Sequence, residues 1–185
     1  MPELNSFDFC IMTFVQENLH NAFTDFAFPY ITYLGQAGAI WLIISFALLF
    51  KKRYRLCGIM MLSALLFTFI SGELIIKNIA MRPRPYMDYP NYVALLVPKL
   101  SSFSFPSGHS ASSFTAATVL FYFNKKVGIA ALLLAFLISF SRIFLFVHYP
   151  SDVLVGIILG ISFALITISL QKRLAKRNLF FVINT

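Results

Sequence analysis

The feature that most restricts this chain is the run Phe26–Phe50, which holds no Asp, Glu, Lys or Arg. As a helix it rises about 37 Å, enough to cross a hydrocarbon layer of about 30 Å. Inside lipid each backbone N–H and C=O must be satisfied within the segment, so a helix is the available form. Leu56–Ile76, interrupted only by Glu73 near its end, reads as a second span. Pro106–Asn124, Val127–Val147 and Pro150–Leu170 read as a third, fourth and fifth. Pro106 and Pro150 are each expected in a first helical turn, where a missing N–H is harmless. Composition agrees: 59% of the 185 residues are hydrophobic and 12% charged, against roughly one quarter charged in soluble domains. No repeat or low-complexity linker divides the chain. The expected fold is therefore all-α, a polytopic membrane helix bundle forming one membrane-embedded domain over residues 1–185.

Basic residues set the expected orientation. Lys51, Lys52, Arg53 and Arg55 follow the first span, Lys125 and Lys126 follow the third, and Lys172, Arg173, Lys176 and Arg177 follow the fifth. These are ten of the fifteen Lys and Arg, all on one side, which the positive-inside rule assigns to the cytoplasm. The net charge of +8 is thus mainly a topology signal rather than a nucleic-acid footprint. Cys10 and Cys57 fall near opposite faces, too far apart for a disulfide, and both are expected to be free.

The first 25 residues contain Glu3, Asp8, Glu17 and Asp25 but no Lys or Arg, which argues against a cleaved signal peptide. Phe7, Ile11, Phe14, Val15 and Ala22 recur at helical spacing, with Asp8, Gln16 and Glu17 between them. The pattern predicts an amphipathic helix lying on the outer membrane surface. The alternative, a sixth span, would bury Asp8, Glu17 and His20 at a considerable cost.

Three polar clusters interrupt the oily sequence, and the expected topology puts all three at the outer face. The first is Lys77 with Arg84-Pro85. A basic residue at a helix end commonly snorkels to headgroups, but three outer cations within eight positions call for an anionic partner. An ammonium beside a guanidinium fork suits phosphate oxygens. Arg82-Pro83 duplicates Arg84-Pro85, which leaves open which arginine points inward. Glu73, one turn before Lys77, reads as the group that orients it. In the second cluster Ser107, Gly108 and His109 are expected in the first turn of a helix, where free N–H groups and the helix dipole attract anions. A cationic imidazole opposes that dipole, so His109 fits better as a proton donor facing a bound anion. The third cluster is Ser141-Arg142, His148 and Asp152. A charge as deep as Arg142 is a functional candidate. A carboxylate four residues from an imidazole can hold one ring nitrogen and leave the other free to attack.

The pattern Lys77-x6-Arg84-Pro85, Pro106-Ser107-Gly108-His109 and Ser141-Arg142-x5-His148-x3-Asp152 resembles the tripartite signature of the type 2 phosphatidic acid phosphatases. The resemblance spans residues 77 to 152. It implies that His148 is the nucleophile that becomes a phosphohistidine, that Asp152 orients it, and that His109 protonates the leaving group. Lys77, Arg84, Ser107, Gly108 and Arg142 would bind the phosphoryl oxygens, and no metal or other cofactor is implied. Relatives commonly have six spans, whereas five plus an interfacial helix are read here. The implied partner is a membrane lipid phosphate: undecaprenyl pyrophosphate fits a compact chain with an outward site best, with phosphatidylglycerol phosphate and phosphatidic acid as alternatives. A lipid-phosphate binder or transporter without turnover is the competing class, although binding alone needs no aligned nucleophile and acid. The oligomeric state is open.

Overall fold

The structure, a computed structural model, describes residues 2–90 and 92–183, with side-chain surroundings for residues 7–90 and 92–176. The side chains of Glu3 and Arg177 lie outside the described residues. The described chain is helical. In order it forms α1 (Pro2–Asn18), α2 (Ala22–Leu34), α3 (Ala39–Leu49) and α4 (Arg55–Phe69). A π-helical stretch, Ile70–Ile76, then leads into α5 (Lys77–Ala80), followed by α6 (Pro85–Asp88), α7 (Gly108–Phe123), α8 (Lys125–Phe144) and α9 (Pro150–Ile183).

The five apolar stretches all become helix, with changes of boundary, and α9 runs past Leu170 to Ile183. Phe26–Phe50 is not one rod: α2 and α3 meet at an angle of 44°. Gly38 (φ 69) and Ala37 (φ 50) take left-handed conformations at the break, and a Cβ on Gly35 would lie 2.5 Å from Ile138 Cγ2 and 2.9 Å from His109 Cδ2. Small size at Gly35 thus lets α2 close onto α7 and α8. Pro106 stands outside α7, because Ser107 is the N-cap and helical geometry begins at Gly108. The α8 helix stops at Phe144 rather than Val147, as Phe146 turns left-handed (φ 58) and folds the chain back. Residues 52–88, Lys125–Phe144 and Pro150–Lys176 each contain a helix long and apolar enough to cross a membrane, and the bent α2–α3 pair passes as a fourth. The α7 helix, at 16 residues, rises about 24 Å.

The α7 helix lies at the centre. Small side chains on its inward face and on its neighbours, including Ala64, Ala116, Ala117, Ala135 and Ala164, let the helices approach closely around Trp41, Met61 and Ile138. Buried polar links tie the layers: Trp41 Nε1 donates to Ser113 Oγ (2.9 Å), and Thr68 and Thr115 hydroxyls are 2.8 Å apart. Large apolar residues such as Phe46, Leu133, Phe136, Ile158 and Leu165 face outward, as lipid permits. Cys10 is exposed, Cys57 is buried, and both are free.

The expected N-terminal helix is present as α1, but its inward face is not the apolar set expected from the spacing. Met12, Val15 and Asp8 face the protein, while Phe7 and Phe14 face out. Gln16 Nε2 donates to Phe144 O (2.8 Å), and Met12 and Val15 pack with Tyr86, Phe146, Val147 and Tyr149. The α1 helix therefore covers the loop between α8 and α9. The polar residue turned inward because a cation awaits it there.

Candidate active site

Four chain segments bring their ends together. The α5 helix carries Lys77, whose Nζ lies 2.7 and 2.8 Å from the two carboxylate oxygens of Glu73. Glu73 sits in the π-helical stretch, a distortion that often marks functional positions. Its carboxylate also presses on the start of α7: a Cβ on Gly108 would lie 2.1 Å from Glu73 Oε1. Only glycine admits an anion that close to the helix terminus.

Arg84 is clamped by the loop that follows it. Its Nε donates to Ser102 O (2.7 Å), and its Nη2 donates to Ser102 Oγ (3.0 Å) and Phe103 O (3.1 Å). Its Nη1 donates to Val147 O (2.8 Å) and lies 3.2 Å from His148 Nε2. Because a guanidinium only donates, His148 Nε2 is the acceptor and its proton belongs on Nδ1. Burial, with Arg84, Arg142 and Lys77 nearby, holds His148 well below the ordinary histidine range. The imidazole is thus kept neutral, with a lone pair on Nε2.

Asp152 stands behind it. Its Oδ2 lies 3.5 Å from His148 Nδ1, longer than a hydrogen bond, and accepts from Tyr149 N (2.9 Å) and from the Ser104 hydroxyl. Asp152 therefore stands behind the neutral ring at 3.5 Å without a direct hydrogen bond to it, since Tyr149 N and Ser104 also claim that oxygen. Arg142 is buried, donates to the Thr32 hydroxyl through Nη1, and offers its backbone oxygen to the N–H groups of Val147 and His148 (both 3.2 Å). Ser107 is the N-cap of α7, and its N–H donates to Asp152 O (3.1 Å).

Six of the eight expected residues, Lys77, Arg84, Gly108, His109, Arg142 and His148, line a single cavity of about 680 Å³. Its remaining wall is largely apolar, with Leu42, Leu62, Leu65, Leu66 and Phe69. Ser107 lies buried beneath the start of α7, and Asp152 lies behind His148. Neither lines the cavity.

Residues 53–176 match the PAP2 superfamily. The chain belongs to the PAP2 superfamily. It is 31% identical over 134 residues to an undecaprenyl-diphosphatase of Sulfolobus acidocaldarius, covering 72% of this chain and 64% of the relative. It is 30% identical over 117 residues to undecaprenyl-diphosphatase BcrC of Bacillus subtilis, covering 61% and 57%. The match thus spans less than two thirds of each relative's length. Among solved structures, Aquifex aeolicus LpxE superposes with a TM-score of 0.76 at 29% identity, covering 86% of this chain and 93% of that one. A PAP2-type phosphatidylglycerolphosphate phosphatase from Bacillus subtilis gives 0.75 at 26% identity, covering 94% and 88%.

Within this PAP2 fold the two arginines of Arg82-Pro83-Arg84-Pro85 part company. Arg84 lines the cavity, whereas Arg82 turns away from it to pair with Asp152 (2.7 Å) and Asp8 (2.9 Å). Sequence reasoning missed Asp8, Thr32, Ser102 and Ser104 as partners of the PAP2 residues. The doubled Arg-Pro was the one visible sign that a second cation had work to do. The other partnerships join residues far apart in the chain, with no local pattern to announce them.

Proposed function

We propose that this protein is an integral membrane lipid phosphatase that works through a phosphohistidine on His148. One observation carries the reading: a single cavity is lined both by the three cations that surround the His148 imidazole and by an apolar wall. A phosphate headgroup and its lipid tail would each find a matching surface there. In this mechanism Lys77, Arg84, Arg142 and the N–H groups at the start of α7 hold the phosphoryl oxygens and stabilise the charge of the transition state. His148 Nε2 attacks phosphorus, the bond to the leaving oxygen breaks, and His109 donates the proton which that oxygen needs. Water then attacks the phosphohistidine, with His109 taking its proton, and inorganic phosphate leaves.

The site is proposed to face the extracytoplasmic side. The α4, α7, α8 and α9 helices bring their cavity ends together, and the basic turns and tail belong to their opposite ends. The proposed substrate is a polyprenyl diphosphate of the undecaprenyl class, supported by the names of two relatives. Phosphate release by purified protein tests this on polyprenyl diphosphate, phosphatidylglycerol phosphate and phosphatidic acid, with a chelator present. Polyprenyl diphosphate is expected to give the highest kcat/KM, and His148→Ala to lose roughly 10³-fold or more. Preference for a glycerolipid phosphate would reassign the substrate. Equal release by the variant would sink the mechanism, and binding without release on all three would favour a lipid-phosphate binder.

A further inference from the structure

Resting on that reading, we propose that Asp8 and Arg82 are positioning residues that hold Asp152 in place and keep its charge available to His148, so that α1 completes the catalytic centre. Asp8 comes from a helix with no signature residue, yet it is fully buried. Its Oδ2 pairs with Arg82 Nη2 (2.9 Å), and its Oδ1 accepts the Ser151 N–H (2.8 Å). The Ser151 hydroxyl donates to Asp8 as well. Ser151 follows Pro150 at the start of α9, where N–H groups lack partners within the helix. Asp8 thus caps α9 from the far end of the sequence, one residue before Asp152.

Arg82 joins the two carboxylates. Its Nη1 donates to Asp152 Oδ1 (2.7 Å) and Ser151 Oγ (2.7 Å), while its guanidinium stacks 3.8 Å above the Tyr149 ring. With Tyr149 N and Ser104 on Oδ2, every contact of the Asp152 carboxylate other than His148 is fixed.

The charges explain why Asp8 is present. Arg82 alone would neutralise Asp152 and weaken its pull on the imidazole, which becomes cationic when phosphorylated. Asp8 engages the other arm of Arg82, leaving one net negative charge over the three groups. Neither Asp8 nor Arg82 lines the cavity, so their effect reaches the substrate only through Asp152 and His148. His148 is also faced by Lys77, Arg84, Arg142 and Asp152, and the other carboxylate lining the cavity, Glu73, is engaged by Lys77 Nζ at 2.7 and 2.8 Å.

The test compares orthovanadate, which mimics the five-coordinate transition state, with inorganic phosphate, which mimics the ground state. Both dissociation constants are measured by calorimetry on the full-length protein, beside lipid-phosphate turnover. Asp8→Asn is expected to weaken vanadate roughly 10-fold or more, in the range typical of groups that orient a reacting side chain, with phosphate affinity and KM within about twofold. Arg82→Lys, which keeps the charge but loses the two-carboxylate fork, is expected to show the same selective loss, and Asp8→Glu to recover part of it. Met12→Ala, which removes only packing from the same face of α1, should leave the vanadate-to-phosphate ratio unchanged. Equal losses for both anions, no loss, or the same loss in Met12→Ala would overturn the proposal. If the wild type binds vanadate tightly and Asp8→Asn does so selectively worse, but no lipid phosphate is hydrolysed, the relay stands and the lipid phosphatase reading falls. Failure of the wild type to bind vanadate would overturn both.

Discussion

At the scale of single residues, the site is an economy of a few charges in a small volume. Lys77, Arg84 and Arg142 are all buried, and Glu73 is the carboxylate among them that lines the cavity. Buried cations are costly without a partner, which gives Glu73 a role when no phosphate is bound. It also puts a negative charge where phosphate oxygens would meet the first turn of α7. Glu73→Gln is therefore expected to tighten competitive inhibition by inorganic phosphate several-fold, about 1 kcal/mol. A weaker inhibition constant would show instead that Glu73 serves chiefly by holding Lys77 in position. The signature side chains were legible in the sequence because their chemistry is rare in an oily chain. Their supports were not. Ser102 and Phe103 carbonyls, the Thr32 hydroxyl and the Asp8 carboxylate are ordinary groups whose meaning comes only from what the fold places beside them.

At the scale of elements, apolar runs gave away the helices because lipid leaves the backbone little choice. Breaks within the runs were less visible. Glycine is common in membrane helices, so Gly35 and Gly38 did not by themselves mark a bend. What fixes the bend is contact with Ile138 and His109, which belong to other helices. Gly35→Ala should push α2 away from both, lowering thermal stability by about 1–3 kcal/mol and reducing turnover through the displaced His109. Unchanged melting and turnover would mean that α2 yields freely at this point. The α1 helix holds a second lesson. Phe7, Phe14 and Glu17 are exposed, while Asp8 is buried beside Met12 and Val15 because Arg82 and the Ser151 N–H meet it there.

At the scale of the whole molecule, an extracytoplasmic site requires the cavity and the basic turns to lie on opposite sides of the membrane. Lys99 and Lys52 are both exposed, the first in the loop beside the cavity and the second in the turn before α4. In a cysteine-free background, Lys99→Cys is expected to react with a membrane-impermeant maleimide in intact cells, and Lys52→Cys only after permeabilisation. The reverse pattern would place the site on the cytoplasmic side and remove an extracytoplasmic lipid diphosphate as substrate. The central claim, a covalent phosphate on His148, is tested most directly by rapid quenching. Turnover of polyprenyl diphosphate labelled in its terminal phosphate should leave an acid-labile, base-stable phosphate on the peptide that contains His148, absent from His148→Ala. Label on another residue, or full turnover with no label on any peptide, would contradict it.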